Sequence, residues 1–127
     1  MFLKLLSGFV FMGMAFAVSA VTPQDLLKSY EAQSGKANSA RGERFFNIQH
    51  GKEWSCASCH ENPPIHDTKH IVTGKLIKPL APSANPARFT DEAKAEKWFK
   101  RNCNDVVGRD CTAQEKADVL SWLMTVK

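Results

Sequence analysis

Apolar positions fall at helical spacing in four stretches of the chain, and no stretch alternates convincingly in the manner of a strand. The first pattern opens at Thr22-Pro23, with threonine as N-cap and proline at N1. Leu26, Leu27 and Tyr30 form its stripe and Ser34-Gly35 closes it. The second places Ser39 as cap and Phe45, Phe46 and Ile48 as apolar positions, ending at His50-Gly51. Thr90 starts the third, with Asp91 and Glu92 in a first turn where carboxylates suit the helix dipole. Thr112 and Glu115 form a capping box for the fourth, whose Ala113, Ala117, Leu120 and Met124 share a face flanked by Leu123. An all-α protein is expected.

Between the second and third patterns lies Cys56-Ala57-Ser58-Cys59-His60, the C-x-x-C-H signature of covalent haem attachment. Two thiols at this spacing can add to the two vinyl groups of one porphyrin, and the adjacent histidine is held close enough to ligate its iron. The assignment is one haem c on Cys56 and Cys59, with His60 as proximal ligand. A zinc site would need a second cysteine pair or a histidine pair at ligand spacing, and a redox C-x-x-C would sit near a βαβ pattern. Cys103 and Cys111 supply neither.

The N-terminus agrees with this chemistry. Lys4, an apolar run from Leu5 to Val18, and the small residues of Val18-Ser19-Ala20 form a secretory signal, with cleavage expected after Ala20. A retained anchor is the alternative, but the run is shorter than the roughly 20 residues a span needs. The expected organisation is a signal peptide over 1–20, one cytochrome domain over 21–127, and a periplasmic location. Formal charge is +4 and mixed in sign, which disfavours nucleic acid and leaves a weak electrostatic docking face. In an oxidising compartment Cys103 and Cys111 can form a disulfide.

The stretch from His60 to Thr90 carries Pro63, Pro64, Pro79, Pro82 and Pro86 with little periodicity. A loop this long normally wraps something. Haem is the candidate, with Leu76, Ile77, Leu80, Ala81 and Phe89 as lining; Lys75, Lys78 and Arg88 are within reach of its propionates or are simply solvated charges.

The sixth coordination position separates a plain electron carrier from a protein that also binds a small molecule. Met124 is the only methionine after the signal, near the C-terminus on an apolar stripe, and reads as core. His50 lies too close before the motif to reach the opposite face easily, whereas His66 and His70 lie in a loop long enough to do so. On a helix over the third pattern, Ala95, Trp98 and Phe99, with Val106 if the helix persists, form one apolar stripe and Asn102 sits at its centre. An unpaired amide in a core costs roughly 1–3 kcal/mol. Asn102 therefore either bonds a loop carbonyl or a propionate, caps the helix end, or coordinates iron.

Thr73-Gly74-Lys75, Lys78-Pro79-Leu80-Ala81-Pro82-Ser83, Asn85-Pro86 and Arg88-Phe89-Thr90-Asp91 together resemble the oxygen-binding cytochromes c called SHP, the sphaeroides haem protein. So do Glu96-Lys97-Trp98, Arg101-Asn102-Cys103-Asn104, Gly108-Arg109-Asp110-Cys111-Thr112 and Glu115-Lys116-Ala117-Asp118. The resemblance covers nearly all of 21–127. It implies a class I cytochrome c fold with an extra N-terminal helix and a long proline-containing loop around the haem. It further implies Asn102 as distal ligand of the oxidised iron, a Cys103–Cys111 disulfide, binding of O2, CO or NO after reduction, and a di-haem cytochrome c as redox partner. The related cytochrome c'' group has histidine where this chain has Asn102. A terminal site reducing oxygen or a nitrogen oxide is compatible with these features; the alternatives are a bis-histidine electron carrier and a gas or redox sensor.

Overall fold

The computed structural model describes Gly13 and Ala20 to Lys127; the expected signal sequence, with its cleavage motif up to Ser19, lies otherwise outside the described residues. Five helices follow in order: α1 (Pro23–Gln33), α2 (Ser39–Asn47), the single turn α3 (Ala57–His60), α4 (Glu92–Val106) and α5 (Ala113–Leu123). Two strands of two residues each, β1 (Thr68–Lys69) and β2 (Leu76–Ile77), pair antiparallel with Thr68 opposite Ile77. The protein is thus mostly helical, as the periodicity predicts. The small hairpin inside the proline-containing segment was not legible, because two-residue strands are too short to show alternation.

Local chemistry sets the helix ends. Thr22 caps α1 in a reciprocal box with Asp25, and Thr112 caps α5 in the same way with Glu115. Two predicted caps shift by one residue. Asn38, not Ser39, accepts from Arg41 N at the start of α2, and Asp91, not Thr90, accepts from Lys94 N at the start of α4. In both places the side chain whose oxygen reaches the third amide lies one position from the expected cap. Ile48 falls just beyond α2 and is exposed, so it is not part of that helix's apolar face.

α1 and α2 both pack against α5, and no other helix approaches α4 comparably closely among the described residues. α5 is buried on two faces rather than one. Ala117 and Leu120 join Leu26, Tyr30 and Ala95, while Val119, Trp122 and Leu123 surround Phe46. Met124 packs on the first of these clusters, the core role expected of it.

The α2–α5 crossing has a specific cause. A Cβ at Gly42 would meet the backbone carbonyl oxygen of Asp118 at 1.9 Å, so only glycine permits this approach. Around it, the buried Asp118 carboxylate accepts from Asn38 N (2.8 Å), Gln114 Nε2 (3.0 Å) and Arg41 Nη2 (2.8 Å), and also from Arg41 Nε. Burial pushes the Asp118 pKa up, but the Arg41, Asn38 and Gln114 hydrogen bonds outweigh it and hold the group below the usual aspartate value.

A second polar link ties α1, α4 and α5. The Tyr30 hydroxyl donates to Glu96 Oε1 at 2.6 Å, and Lys116 Nζ donates to Oε2 at 2.6 Å while lying over the Tyr30 ring at 5.6 Å. Burial raises the Tyr30 pKa, and the hydrogen bond and charge of Glu96 raise it further.

Two outcomes follow. Gly42→Ala is expected to lose at least about 3 kcal/mol in denaturant unfolding, because the clash is with backbone that cannot rotate away; a loss under 1 kcal/mol would show that the crossing opens freely. Because the folded Asp118 pKa is depressed, its contribution is present above the unfolded value of about 3.9 and is lost as pH falls through the folded value. Asp118→Asn should flatten that acid limb in a thermal melt series.

Candidate haem site

Cys56, Cys59 and His60 lie on one tight turn. The amides of Cys59 and His60 donate to Cys56 O at 3.2 and 3.1 Å, which places Cys56 at the N-cap of α3 and Cys59 and His60 at the end of the same turn. Ser58 Oγ accepts from Ser55 N at 2.9 Å at the start of the turn. At its end, the buried Thr68 hydroxyl donates to Cys59 O at 2.6 Å, fastening β1 to the motif. Glu61 then leaves with a left-handed φ of 62°.

Both motif cysteines are free thiols, although their spacing would also suit a redox disulfide. Burial pushes the Cys56 thiol up to about 11. His60 makes no side-chain hydrogen bond to the described residues, and its ring sits 6.1 Å from that of Phe46 on α2. Burial, with the charges of Arg88 and His70, pushes its pKa down to about 4, so the imidazole is neutral at physiological pH and presents a lone pair. Among the described residues no group of three or more His, Cys, Asp or Glu side chains is arranged to hold a metal ion unaided. Two free thiols followed by a neutral, unpartnered imidazole match the donor set that a covalently bound haem requires.

Asn102 lies on α4, half-buried, on the side of that helix that carries Ala95 and Phe99, but Trp98, expected in the same stripe, is exposed, so Asn102 stands at the edge of the apolar face and not at its centre. Its amide has no hydrogen-bond partner among the described residues, so neither the loop carbonyl nor the capping alternative is realised. Phe99, one turn earlier, packs on the same apolar cluster as Cys56 and Ala57. α4 and the C-x-x-C-H turn therefore meet across one cluster. Phe89 bridges both clusters and holds a left-handed φ of 60°, a conformation a bulky residue keeps only when packing demands it.

The residue after Asn102 is covalently anchored. Cys103 and Cys111 form a disulfide with Cα atoms 5.7 Å apart, and both are buried. The enclosed turn is fixed further by Gly108 at φ 84°, whose amide caps Cys103 O at 3.1 Å, and by the Arg109 guanidinium, which forks the Glu115 carboxylate at 2.9 and 2.7 Å.

The histidines behave differently from one another. His50 donates from Nε2 to Phe45 O at 2.7 Å and stacks on the Phe45 ring, so it belongs to the end of α2. His70 Nδ1 accepts from the amides of Val72 and Thr73 at 3.2 Å each, and His66 is exposed. Of the expected lining, Ala81 is buried, Leu80 and Phe89 pack on the core, Ile77 is half-buried and Leu76 is exposed. Lys78 pairs with Asp67 at 2.8 Å, while Lys75 is exposed. Arg88 Nε and Nη2 donate to the carbonyls of Pro79 and Lys78 at 2.9 and 2.8 Å, which gives it a loop-bracing role that its sequence context did not reveal. The Thr68 bond to Cys59 O was equally illegible, because a lone threonine carries no pattern.

A domain family described as one of unknown function, DUF1924, matches residues 32–123. The chain is 49% identical over 107 residues to the cytochrome c-type protein SHP of Cereibacter sphaeroides, covering 80% of this chain and 82% of that protein. It is 48% identical to cytochrome c'' of Methylophilus methylotrophus, covering 76% and 67% respectively. In three dimensions it is similar to oxidised SHP, described as an oxygen-binding cytochrome c, with a TM-score of 0.77 and 47% identity over 82% of this chain and 96% of that one.

Removing the bridge tests how much it contributes. The double variant Cys103→Ala, Cys111→Ala should lose about 2–3 kcal/mol of stability in denaturant unfolding, as expected for so short a closed loop. An unchanged midpoint would mean that Arg109, Glu115 and Gly108 fix this turn unaided.

Proposed function

The chain belongs to the family of c-type cytochromes that includes SHP and cytochrome c'', and from that membership we propose a periplasmic monohaem cytochrome that combines one-electron transfer with binding of O2, CO or NO. Haem c, when bound, supplies a one-electron couple and an axial position for a diatomic ligand. Cys56 and Cys59 hold it through two thioether bonds, each formed by adding a thiol across a vinyl group without a leaving group. His60 would hold its iron in both oxidation states.

Asn102 provides the second, weak axial ligand. Its amide oxygen is a neutral, hard donor better suited to ferric than to the softer ferrous iron, so Asn102 would hold the oxidised iron and leave its position to a diatomic ligand in the reduced state. The observation that carries this reading is the half-buried Asn102 amide. It lacks a protein partner and lies on a helix whose Phe99 shares an apolar cluster with the C-x-x-C-H turn. The Cys103–Cys111 bridge restrains the end of α4 and limits how far Asn102 retreats.

The wider assignment follows the same line. Residues 21–127 form a single cytochrome domain released by cleavage after Ala20. α1 is the helix added before a class I cytochrome fold, the 61–90 segment wraps the haem, and a di-haem cytochrome c supplies electrons. No described helix is long and apolar enough to cross a membrane.

Intact mass should show a chain beginning at Val21 with one covalent haem. The ferric spectrum should be high-spin, and the ferrous form should bind CO. Asn102→His should turn the ferric site low-spin and slow ligand binding, while Asn102→Ala should preserve CO binding to the ferrous form and alter the ferric spectrum. A wild-type ferric spectrum that is already low-spin, or one that Asn102→Ala leaves unchanged, would transfer the distal role to a histidine of the 61–90 segment.

A further inference from the structure

α4 carries more than Asn102. At 100° per residue, Lys94, Lys97, Trp98 and Arg101 fall within an arc of about 100° on this helix, and Lys100 flanks them. All five are exposed. None of the four cationic side chains among Lys94, Lys97, Lys100 and Arg101 has a carboxylate partner among the described residues, where the salt bridges are Arg41–Asp118, Lys78–Asp67, Arg109–Glu115 and Lys116–Glu96. Glu96, the acid in the middle of the helix, is turned away and bound by Lys116 and Tyr30. Glu92 projects from the opposite arc and Asp91 caps the helix start, while Asp105, in the last turn, falls on the same arc as Arg101 and bounds the basic patch at that end.

Trp98 is 40% exposed, and the Arg101 guanidinium covers its ring at 5.5 Å. An exposed indole beside an arginine pairs two of the residue types that concentrate binding energy at protein interfaces, and the surrounding lysines supply long-range charge. Lys97 and Lys100 also border a shallow cleft beside Cys111, whose other charged residues are Glu96, Asp110 and Lys116.

We propose that this face of α4 is the docking surface for an acidic redox protein, with Lys94, Lys97, Lys100 and Arg101 steering the encounter and Trp98 at its centre. It rests on the cytochrome reading and supplies the chemistry of the partner. An anionic membrane is the competing occupant of a basic helix face. It is disfavoured because α4 spends its apolar side, Ala95, Phe99 and Cys103, in the protein core, leaving Trp98 as the lone large apolar residue to insert. Partner docking one residue from Asn102 also places electron entry on the helix whose ligand responds to it.

The test uses the mature holoprotein and flavodoxin hydroquinone, an acidic one-electron donor, in stopped flow. Lys94→Glu with Lys97→Glu should slow reduction on the order of tenfold at low ionic strength, and added salt should shrink the difference. Lys28→Glu with Lys36→Glu, the same change in net charge on and beside α1, should leave the rate within twofold, and Trp98→Ala should lower it without removing its salt dependence. Equal slowing by both double variants, or by neither, would overturn the proposal. So would binding of the wild type, but not of the α4 variant, to phosphatidylglycerol vesicles at physiological salt. Dithionite reduction separates the two readings: it should proceed in wild type and variants alike. Its failure in the wild type would overturn the cytochrome assignment, whereas a normal dithionite rate with an unaffected flavodoxin rate overturns the surface alone.

Discussion

The close crossing of α2 over α5 at Gly42 is the constraint on which the rest depends. The absent side chain lets α2 lie against the Asp118 backbone, and that approach brings Phe46 down onto Val119, Trp122 and Leu123. Phe46 in turn meets the His60 ring. The same crossing therefore also forms one wall beside the motif histidine. The Asp118 carboxylate locks the same crossing by accepting from the backbone before α2, from Arg41 within it and from Gln114 of its own helix. Buried carboxylates are tolerated only when satisfied in this way.

α4 is held by a different kind of bond. Its apolar residues reach both clusters, yet no other helix packs against it as closely as α1 and α2 pack on α5. Its position comes from the Glu96 links to Tyr30 and Lys116 near its middle and from the disulfide near its end. These polar and covalent links act together with Ala95 and Phe99, which pack on the clusters that α5 also enters.

The two sides of the site also differ in chemical rigidity. On one side, the Cys56–His60 turn is braced by its own backbone bonds, by Ser58, and by Thr68 on Cys59 O. On the other, Asn102 has only its helix and the neighbouring disulfide.

The sequence by itself determined the elements whose information is local. Caps at Thr22 and Thr112, the C-x-x-C-H turn, the stripe of Ala95, Phe99 and Asn102, and the core role of Met124 each depend on residues within a turn or two of one another, and all appear in the structure. What tertiary structure decided depends on residues far apart in the chain. Gly42 reads as an unremarkable helical glycine until Asp118 lies against it, and Asp118 reads as a surface charge until Asn38 and Arg41 surround it. Thr68 and Arg88 acquire their roles only when the 61–90 segment folds back to Cys59 and Pro79. The short β1–β2 hairpin is held by the same return of the chain. Periodicity records which side of an element is apolar; it carries no record of which carbonyl a distant side chain will meet.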